Sequence, residues 1–147
     1  MGMFLQFYTS LHVFFYKLSG GRIGGRIHKA NVLLLTTTGW KTGKKRTRPL
    51  LYLRDGNGLV IIPANGGREK DPAWWMNLKH NPIGEVQIGN EKETVYAQRA
   101  SGSEKERLWA LVNSMYPEYN EYQKKTKREI SVVVLMRKAP DYRPWSS

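Results

Sequence analysis

Residues 30–53 read ANVLLLTTTGWKTGKKRTRPLLYL, in which two apolar runs flank a polar turn that contains Gly39 and Gly43. This order predicts a strand, a tight loop and a second strand. Glycines permit backbone angles at which several N–H groups point at one anion. Residues 36–50 are therefore a candidate anion-binding hairpin, and the alternative is a solvated tip whose cations only add solubility. Its cations are Lys41, Lys44, Lys45, Arg46 and Arg48.

The charge of the chain is concentrated in its first third. The formal net charge is +12, from 24 Lys and Arg against 12 Asp and Glu, and residues 1–54 contain ten of the cations and no acidic residue. Such a segment suits nucleic acid, an anionic membrane or a polyanionic small molecule. No nucleic acid partner is expected, because no recognised nucleic-acid motif occurs and the basic residues cluster around turns.

Several classes of chemistry are excluded by what the sequence lacks. It has no cysteine, and therefore no disulfide, thiolate metal site or thiol redox chemistry. His12, His28 and His80 are far apart and lack metal-ligand spacing, so no metal is expected. There is no Walker-type loop, GxGxxG fingerprint or GxSxG elbow. A cytoplasmic location, with possible peripheral association with a membrane, fits this composition.

The N-terminal residues differ from the rest of the chain. Residues 3–18 are rich in Phe, Tyr and Leu and are too short and too polar to span a bilayer. They predict an amphipathic helix that either lies in an anionic membrane interface or packs against the core or a second subunit. Residues 19–25 are a glycine-rich connector. The predicted organisation is an N-terminal appendage over 1–28 and one globular domain over 29–147.

Within the domain, residues 31–37, 47–54 and 59–64 predict buried strands, with a hairpin turn at 55–58. Residues 85–88 and 93–98 alternate around a Gly-Asn pair and predict a second hairpin, and residues 130–136 predict a final strand. Residues 137–147 are expected to be a tail. About six antiparallel strands with two or three helices predict a mainly β protein of the α+β class, organised as a small barrel.

The predicted helices carry most of the aromatic residues. Asp71 and Pro72 follow a glycine loop and predict the N-cap and first residue of a short helix that ends at Pro82. Trp74 and Trp75 on this helix either pack in the core or form the wall of a pocket for a flat ligand. Residues 103–106 match a capping box that opens a second helix. Beyond Pro117, a helical turn would place Tyr119 and Tyr122 on one face.

Many of these motifs, in the same order, resemble the deazaflavin-dependent nitroreductases and quinone reductases, which bind coenzyme F420 (8-hydroxy-5-deazaflavin). The N-terminal aromatic segment resembles the membrane-associated branch of that family. The matching residues cover nearly the whole domain, namely residues 33–39, Lys41-Thr42-Gly43, Arg46, Pro49-Leu50, Asp55-Gly56, Gly66-Gly67, Pro72, Trp74, Asn77-Leu78-Lys79, Asn81-Pro82, Met115-Tyr116-Pro117, Tyr119 and Tyr122.

The resemblance implies a split β-barrel, like the FMN-binding barrels, with the cofactor in a groove. Residues 40–42 and 46–51 would hold its phosphate and acidic tail, residues 62–65 would line its ring, and residues 73–77 would lie beside the ring. The implied cofactor-binding residues are Trp40, Lys41, Thr42, Arg46, Thr47, Arg48, Pro49, Leu50, Leu51, Ile62, Pro63, Ala64, Asn65, Ala73, Trp74, Trp75, Met76 and Asn77. Tyr119 is the candidate proton donor or substrate contact, and Tyr116 and Tyr122 are weaker candidates.

The implied activity is hydride transfer from reduced F420 to a quinone, a nitro compound or an activated alkene. Ala64 and Asn65 stand where nitroreductase-like relatives often carry Ser-Lys, which argues against nitro-drug reduction. Trp40 and Trp75 make the rim more aromatic than usual. The alternatives are the same barrel with FMN, and a non-catalytic module that holds lipid or fatty acid. A dimer is also possible.

Overall fold

A computed structural model of the chain describes residues 26–27 and 30–137. The predicted N-terminal helix, the whole glycine connector and the predicted tail beyond Arg137 lie outside these residues. Seven strands are described: β1 (Arg26–Ile27), β2 (Ala30–Thr38), β3 (Lys45–Asp55), β4 (Gly58–Ile61), β5 (Ile83–Ile88), β6 (Glu91–Arg99) and β7 (Val133–Arg137). The helices are α1 (Ala73–His80), α2 (Gly102–Met115) and α3 (Glu118–Lys124), with a 3₁₀ turn at Asn65–Gly67.

The strands form one antiparallel sheet in the order β1-β2-β3-β4-β7-β6-β5, and β2 also pairs with β5. That last pairing, which includes Leu35 opposite Val86, closes six strands into a barrel. Two-residue turns join β3 to β4 and β5 to β6, as the Asp55-Gly56-Asn57-Gly58 and Gly89-Asn90 sequences predict. The predicted class, a mainly β barrel of six antiparallel strands with three helices, is confirmed.

Two apolar clusters hold the barrel together. Leu33, Leu35, Val95 and Leu135 fill the inside with no exposed surface, and α1 contributes Trp74, Trp75 and Leu78 to the same cluster. A second cluster packs α2 and α3 against β4 and β7, and it includes Leu108, Tyr119 and Ile130. Helix α1 therefore packs one side against the barrel interior, whereas α2 and α3 cover its outside.

Several predicted boundaries were wrong. Strand β4 ends at Ile61 rather than at residue 64, and β3 begins at Lys45, two residues early. Strand β7 begins at Val133 and includes Arg137, which was assigned to the tail. Strand β1 lies in the segment interpreted as an appendage, where it pairs with the start of β2.

Both predicted helix starts were also wrong. Ser101 precedes α2 as N-cap without a side-chain bond, so the capping box at 103–106 does not form. Arg107 binds the Glu104 carboxylate instead. Pro72, not Asp71, is the N-cap of α1, because the Asp71 carboxylate is taken by Lys79 and Arg128.

Candidate functional site

The turn between β2 and β3 is closed by its own backbone. The Gly39 N–H donates to the Lys44 carbonyl at 2.8 Å, and the Gly43 N–H donates to the Gly39 carbonyl at 2.7 Å. Gly43 has a φ of 72°, in the left-handed region that favours glycine. The Thr42 hydroxyl accepts a bond from the Lys44 N–H at 3.2 Å. The cationic segment is therefore a defined turn.

Helix α1 fixes this turn through Asn77. Its Nδ2 donates to Thr37 Oγ1 at 3.0 Å, and its Oδ1 accepts from the Trp40 N–H at 3.1 Å. The Trp40 ring stacks on His80 with a centroid distance of 4.2 Å and an angle of 10° between the planes. Lys41 Nζ lies 4.9 Å from the Trp40 ring centroid. Because Asn77 is buried, the last turn of α1 and the cationic turn form one unit.

Within the described part of the chain, the cations of this unit form no ion pair. Every ion pair formed among residues 31–137 lies elsewhere, so no carboxylate neutralises this set. Arg46 and Arg48 lie opposite Thr37 and Leu35 on β2, and paired residues share a face. Together they form a positive strip at the end of the barrel. The strip consists of Lys41, Lys44, Lys45, Arg46 and Arg48.

The second glycine loop is a compact 3₁₀ turn. Asn65, Gly66 and Gly67 have φ values of 49°, 63° and 82°. A Cβ on Gly67 would lie 2.7 Å from the Tyr122 carbonyl oxygen, so only glycine allows this contact between the loop and α3. The Asn65 Nδ2 donates to the Lys70 carbonyl at 2.9 Å. The loop is thereby placed directly beside the tyrosines.

The three tyrosines are brought together, as their spacing predicts. Tyr119 makes edge-on contacts with Tyr116 at 5.2 Å and with Tyr122 at 6.3 Å between ring centroids. The hydroxyls of Tyr116 and Tyr122 both donate to Glu118 Oε2, at 3.1 Å and 3.3 Å. Among the described residues, none bonds to the Tyr119 hydroxyl. Tyr119 is therefore the member of this cluster whose proton is not already committed to the protein.

The surroundings of Tyr116 and Tyr119 keep these two phenols protonated. Burial, and to a lesser extent the nearby Tyr122, raises the pKa of Tyr119 to about 12. The hydrogen bond with Tyr122, burial and the Glu118 carboxylate raise the pKa of Tyr116 well above its usual value. Near neutral pH both phenols can therefore act as hydrogen-bond donors.

Trp74 and Trp75 are both buried in the barrel cluster, with ring centroids 6.4 Å apart. This favours the packing interpretation of the pair. The indole Nε1 of Trp75 is buried, however, and has no hydrogen-bond partner among the described residues. The ring also lies 5.6 Å from Lys79 Nζ and 5.5 Å from the guanidinium carbon of Arg99.

Helix α1 connects the two groups of predicted residues. Its C-terminal half holds the cationic turn, and Asp71, just before its start, is tied through Arg128 to Ala64 at the glycine loop. Eight helical residues span about 12 Å. By strand alternation, Thr47, Pro49 and Leu51 face away from Arg46, Arg48 and Leu50. Ala73 is exposed, Met76 is half-buried, and Ile62 and Pro63 are buried near the loop.

Residues 8–137 match the family described as F420H(2)-dependent quinone reductase. The chain belongs to this family. An F420H(2)-dependent quinone reductase of Mycobacterium tuberculosis is 42% identical over 132 residues, which are 87% of this chain and 89% of that protein. The solved structure of an F420-H2 dependent reductase, FDR-A, is 39% identical with a TM-score of 0.65, covering 71% of this chain and 92% of that chain.

A structure described as a domain-swapped dimer is 33% identical with a TM-score of 0.68, covering 86% of this chain and 92% of that chain. These matches confirm both the predicted family and the split β-barrel. The cofactor of this family is F420. The helices in the described part of the chain are too short or too polar to cross a bilayer.

Three surface cavities, of about 420, 470 and 360 Å³, surround the start of α2. None is lined by the residues predicted to bind F420. Lys105 and Glu129 form an ion pair that lines the 420 and 360 Å³ cavities. The 360 Å³ cavity is also lined by the ion pair between Arg128 and Asp71. We do not assign the cofactor to these cavities, because they lack both an uncompensated cationic strip and the aromatic wall.

Three site neighbours escaped the sequence analysis. His80 stacks on Trp40, Glu118 accepts from two tyrosines, and Arg128 binds the glycine loop. Glu118 could have been found, since it lies two residues after Tyr116 and four before Tyr122 on a predicted helical turn. Arg128 gave no local signal, because its partners are distant in sequence.

Proposed function

We propose that this member of the F420H(2)-dependent quinone reductases transfers a hydride from reduced F420 to a quinone. The observation that carries the proposal is the cationic turn fixed to α1. A cationic strip lies at one end of α1, and the other end is tied through Asp71 and Arg128 to the glycine loop beside the tyrosine cluster. This arrangement suits a ligand with one anionic and one flat aromatic end.

The residues present fit that cofactor. A phosphodiester and carboxylates require charge-assisted hydrogen bonds, which Lys41, Arg46 and Arg48 can supply. Thr42 and Trp40 lie on the same turn. At the other end, Ala64 and the glycine loop provide a small-residue surface beside the tyrosines.

When bound in its reduced form, F420 supplies the hydride. The protein's part is to orient the acceptor, exclude water and provide a proton donor. Conversion of a quinone to a hydroquinone consumes a proton in addition to the hydride. We propose that the Tyr119 hydroxyl donates a hydrogen bond to the quinone oxygen. This hydroxyl is protonated at neutral pH, and the hydroxyls of its neighbours Tyr116 and Tyr122 are bonded to Glu118.

The ring-side loop favours a quinone over a nitro compound. Ala64 and Asn65 offer neither a hydroxyl nor a cation to a nitro group, and the Asn65 amide is bonded to Lys70 within the loop. A quinone needs only a flat apolar surface and a donor to its oxygen. We therefore expect a simple quinone to be reduced at least about tenfold faster than a nitroaromatic of similar size, in line with one lost charged contact.

The test is a fluorescence titration of the protein with oxidised F420, followed by a quinone reduction assay. Lys41→Ala and Arg46→Ala should each weaken binding by about 1.5–3 kcal/mol, because each removes a charge-assisted contact. Lys92→Ala is the matched control, since exposed Lys92 lies on the β5–β6 hairpin at the opposite end of the barrel. Absence of binding at low salt, or equal weakening by Lys92→Ala, would contradict the proposal.

We further propose that residues 1–25 form an appendage that brings the barrel to an anionic membrane surface, where quinones partition. Their aromatic residues, followed by Lys17 and Arg22, support this. A variant lacking residues 1–25 keeps β1 and should lose sedimentation with anionic liposomes while retaining F420 binding. If both proteins sediment equally, the segment packs against protein instead, and analytical ultracentrifugation then tests for a dimer.

A further inference from the structure

Among the described residues, Arg128 connects three parts of the site. Its side chain bonds to residues that flank the glycine loop and to Asp71 before α1, and its backbone carbonyl bonds to Gln123 on α3. Its Nη2 donates to the Ala64 carbonyl at 2.8 Å, and its Nε donates to the Arg68 carbonyl at 2.9 Å. Its Nη1 donates to Asp71 Oδ1 at 3.1 Å. The guanidinium therefore joins the residues on both sides of the glycine loop to Asp71, which lies two residues before α1.

The base of this arginine is itself fixed. Gln123 on α3 donates from Nε2 to the Arg128 carbonyl at 2.8 Å, and its Oε1 accepts from the Ile130 N–H at 2.9 Å. Lys79 on α1 donates to the second oxygen of Asp71 at 2.8 Å. The Arg128 side chain is only 16% exposed, and its bonds to Asp71 and to the Ala64 carbonyl are partly buried.

We propose that Arg128 is a positioning residue for the ring-side wall of the site. The loop has three consecutive residues at positive φ and no regular sheet bonds. Such a backbone holds its shape only when its surroundings determine it. The planar guanidinium supplies three divergent donors, which a lysine ammonium on a flexible stem does not reproduce. Arg128 thus fixes the loop relative to the tyrosines of α3 and the aromatic residues of α1.

The effect of Arg128 on F420 binding and quinone reduction rests on the proposed function. Whether Arg128 holds the glycine loop in place can be tested without cofactor. Hydrogen exchange of the Gly67 and Arg68 amides, which donate to Ala64 and Asn65, reports on the loop directly. Arg128→Ala should raise their exchange rates by at least about tenfold and leave β2 and β5 amides unchanged. Arg128→Lys should leave most of that increase in place.

Arg107→Ala is the matched control. Arg107 bonds two carboxylates, Asp55 and Glu104, far from the loop, so its loss removes a comparable network. Arg107→Ala should leave the exchange rates of the Gly67 and Arg68 amides unchanged, and the Kd for oxidised F420 should stay within about twofold of the wild-type value. Arg128→Ala should raise that Kd at least about fivefold. The quinone kcat should also fall in the Arg128 variant.

Equal exchange in the Arg128 and Arg107 variants, or full restoration by lysine, would overturn the positioning role. If Arg128→Ala does not fold, the lysine variant carries the same comparison. A wild-type protein that does not bind F420 would refute the proposed function instead, and exchange in the cofactor-free protein would still decide whether Arg128 holds the loop.

Discussion

The buried amide of Asn77 joins the end of α1 to the cationic turn. Asn77→Ala would leave the Trp40 N–H without its acceptor and Thr37 without its donor, at a cost of about 1–3 kcal/mol in the free energy of unfolding. It would also release the turn, so we expect F420 affinity to fall at least about threefold. Urea unfolding and fluorescence titration measure the two effects.

Gln87→Ala is the control for this prediction. Gln87 is another buried amide, bonded to the Gly89 carbonyl at 3.0 Å on the β5–β6 hairpin. Its loss should lower stability to a similar degree without changing F420 affinity. If both variants weaken F420 binding equally, the effect of Asn77 is general destabilisation.

Tyr119 gives a prediction about alkaline pH. In the unfolded chain a tyrosine loses its proton near pH 10, whereas burial raises the pKa of Tyr119 to about 12 in the fold. Below pH 10 both states hold the proton, and stability does not depend on this group. Between pH 10 and 12 only the folded state keeps it, so the free energy of unfolding falls by roughly 2 kcal/mol.

Tyr119→Phe removes this contribution, so its unfolding free energy should decline less steeply above pH 10 than that of the wild type. Urea titrations at pH 8, 10 and 11.5 test the difference, and lysine ionisation cancels between the two proteins. At pH 7 the variant should fold normally with lower quinone kcat. Parallel pH profiles would contradict the assigned pKa.

Among the elements, the Asn65–Gly67 turn makes the tightest contact with α3. Gly66→Ala and Gly67→Ala both place a side chain at positive φ, which costs about 1 kcal/mol. Only at Gly67 would the new Cβ meet backbone, 2.7 Å from the Tyr122 oxygen. We expect Gly67→Ala to cost a further 1–3 kcal/mol and to weaken F420 binding. Thermal unfolding of the pair measures the excess, and equal losses would refute the contact.

The elements also show what the sequence could reveal. Apolar runs and Asn/Gly turns identified the strands because burial and positive φ are local requirements. The start of α1 was missed because Asp71, a good N-cap by type, is held by Lys79 and Arg128 from other elements. The charge of the cationic turn was visible in sequence, but its attachment to Asn77 and His80 depends on the closed barrel.

For the whole molecule, the net charge of +12 and the cationic strip should steer an anionic cofactor. We expect the association rate of oxidised F420 to fall about tenfold between low salt and 0.3 M salt. Arg46→Ala should flatten this dependence more than Lys92→Ala, although both remove one charge. Stopped-flow fluorescence gives the rates, and a rate independent of salt would contradict steering.

Strand β2 is bonded to β3 on one side and to β5 on the other, so it has few open backbone groups over its central residues. The partner β3 is its neighbour in the chain, but β5 is separated from β2 by β3, β4, the glycine loop and α1. Closure of the barrel therefore requires a contact between residues distant in sequence. The chain loses loop-closure entropy before this contact contributes any stability, which makes folding slow. The same closure protects the strand from edge-to-edge association once it is complete.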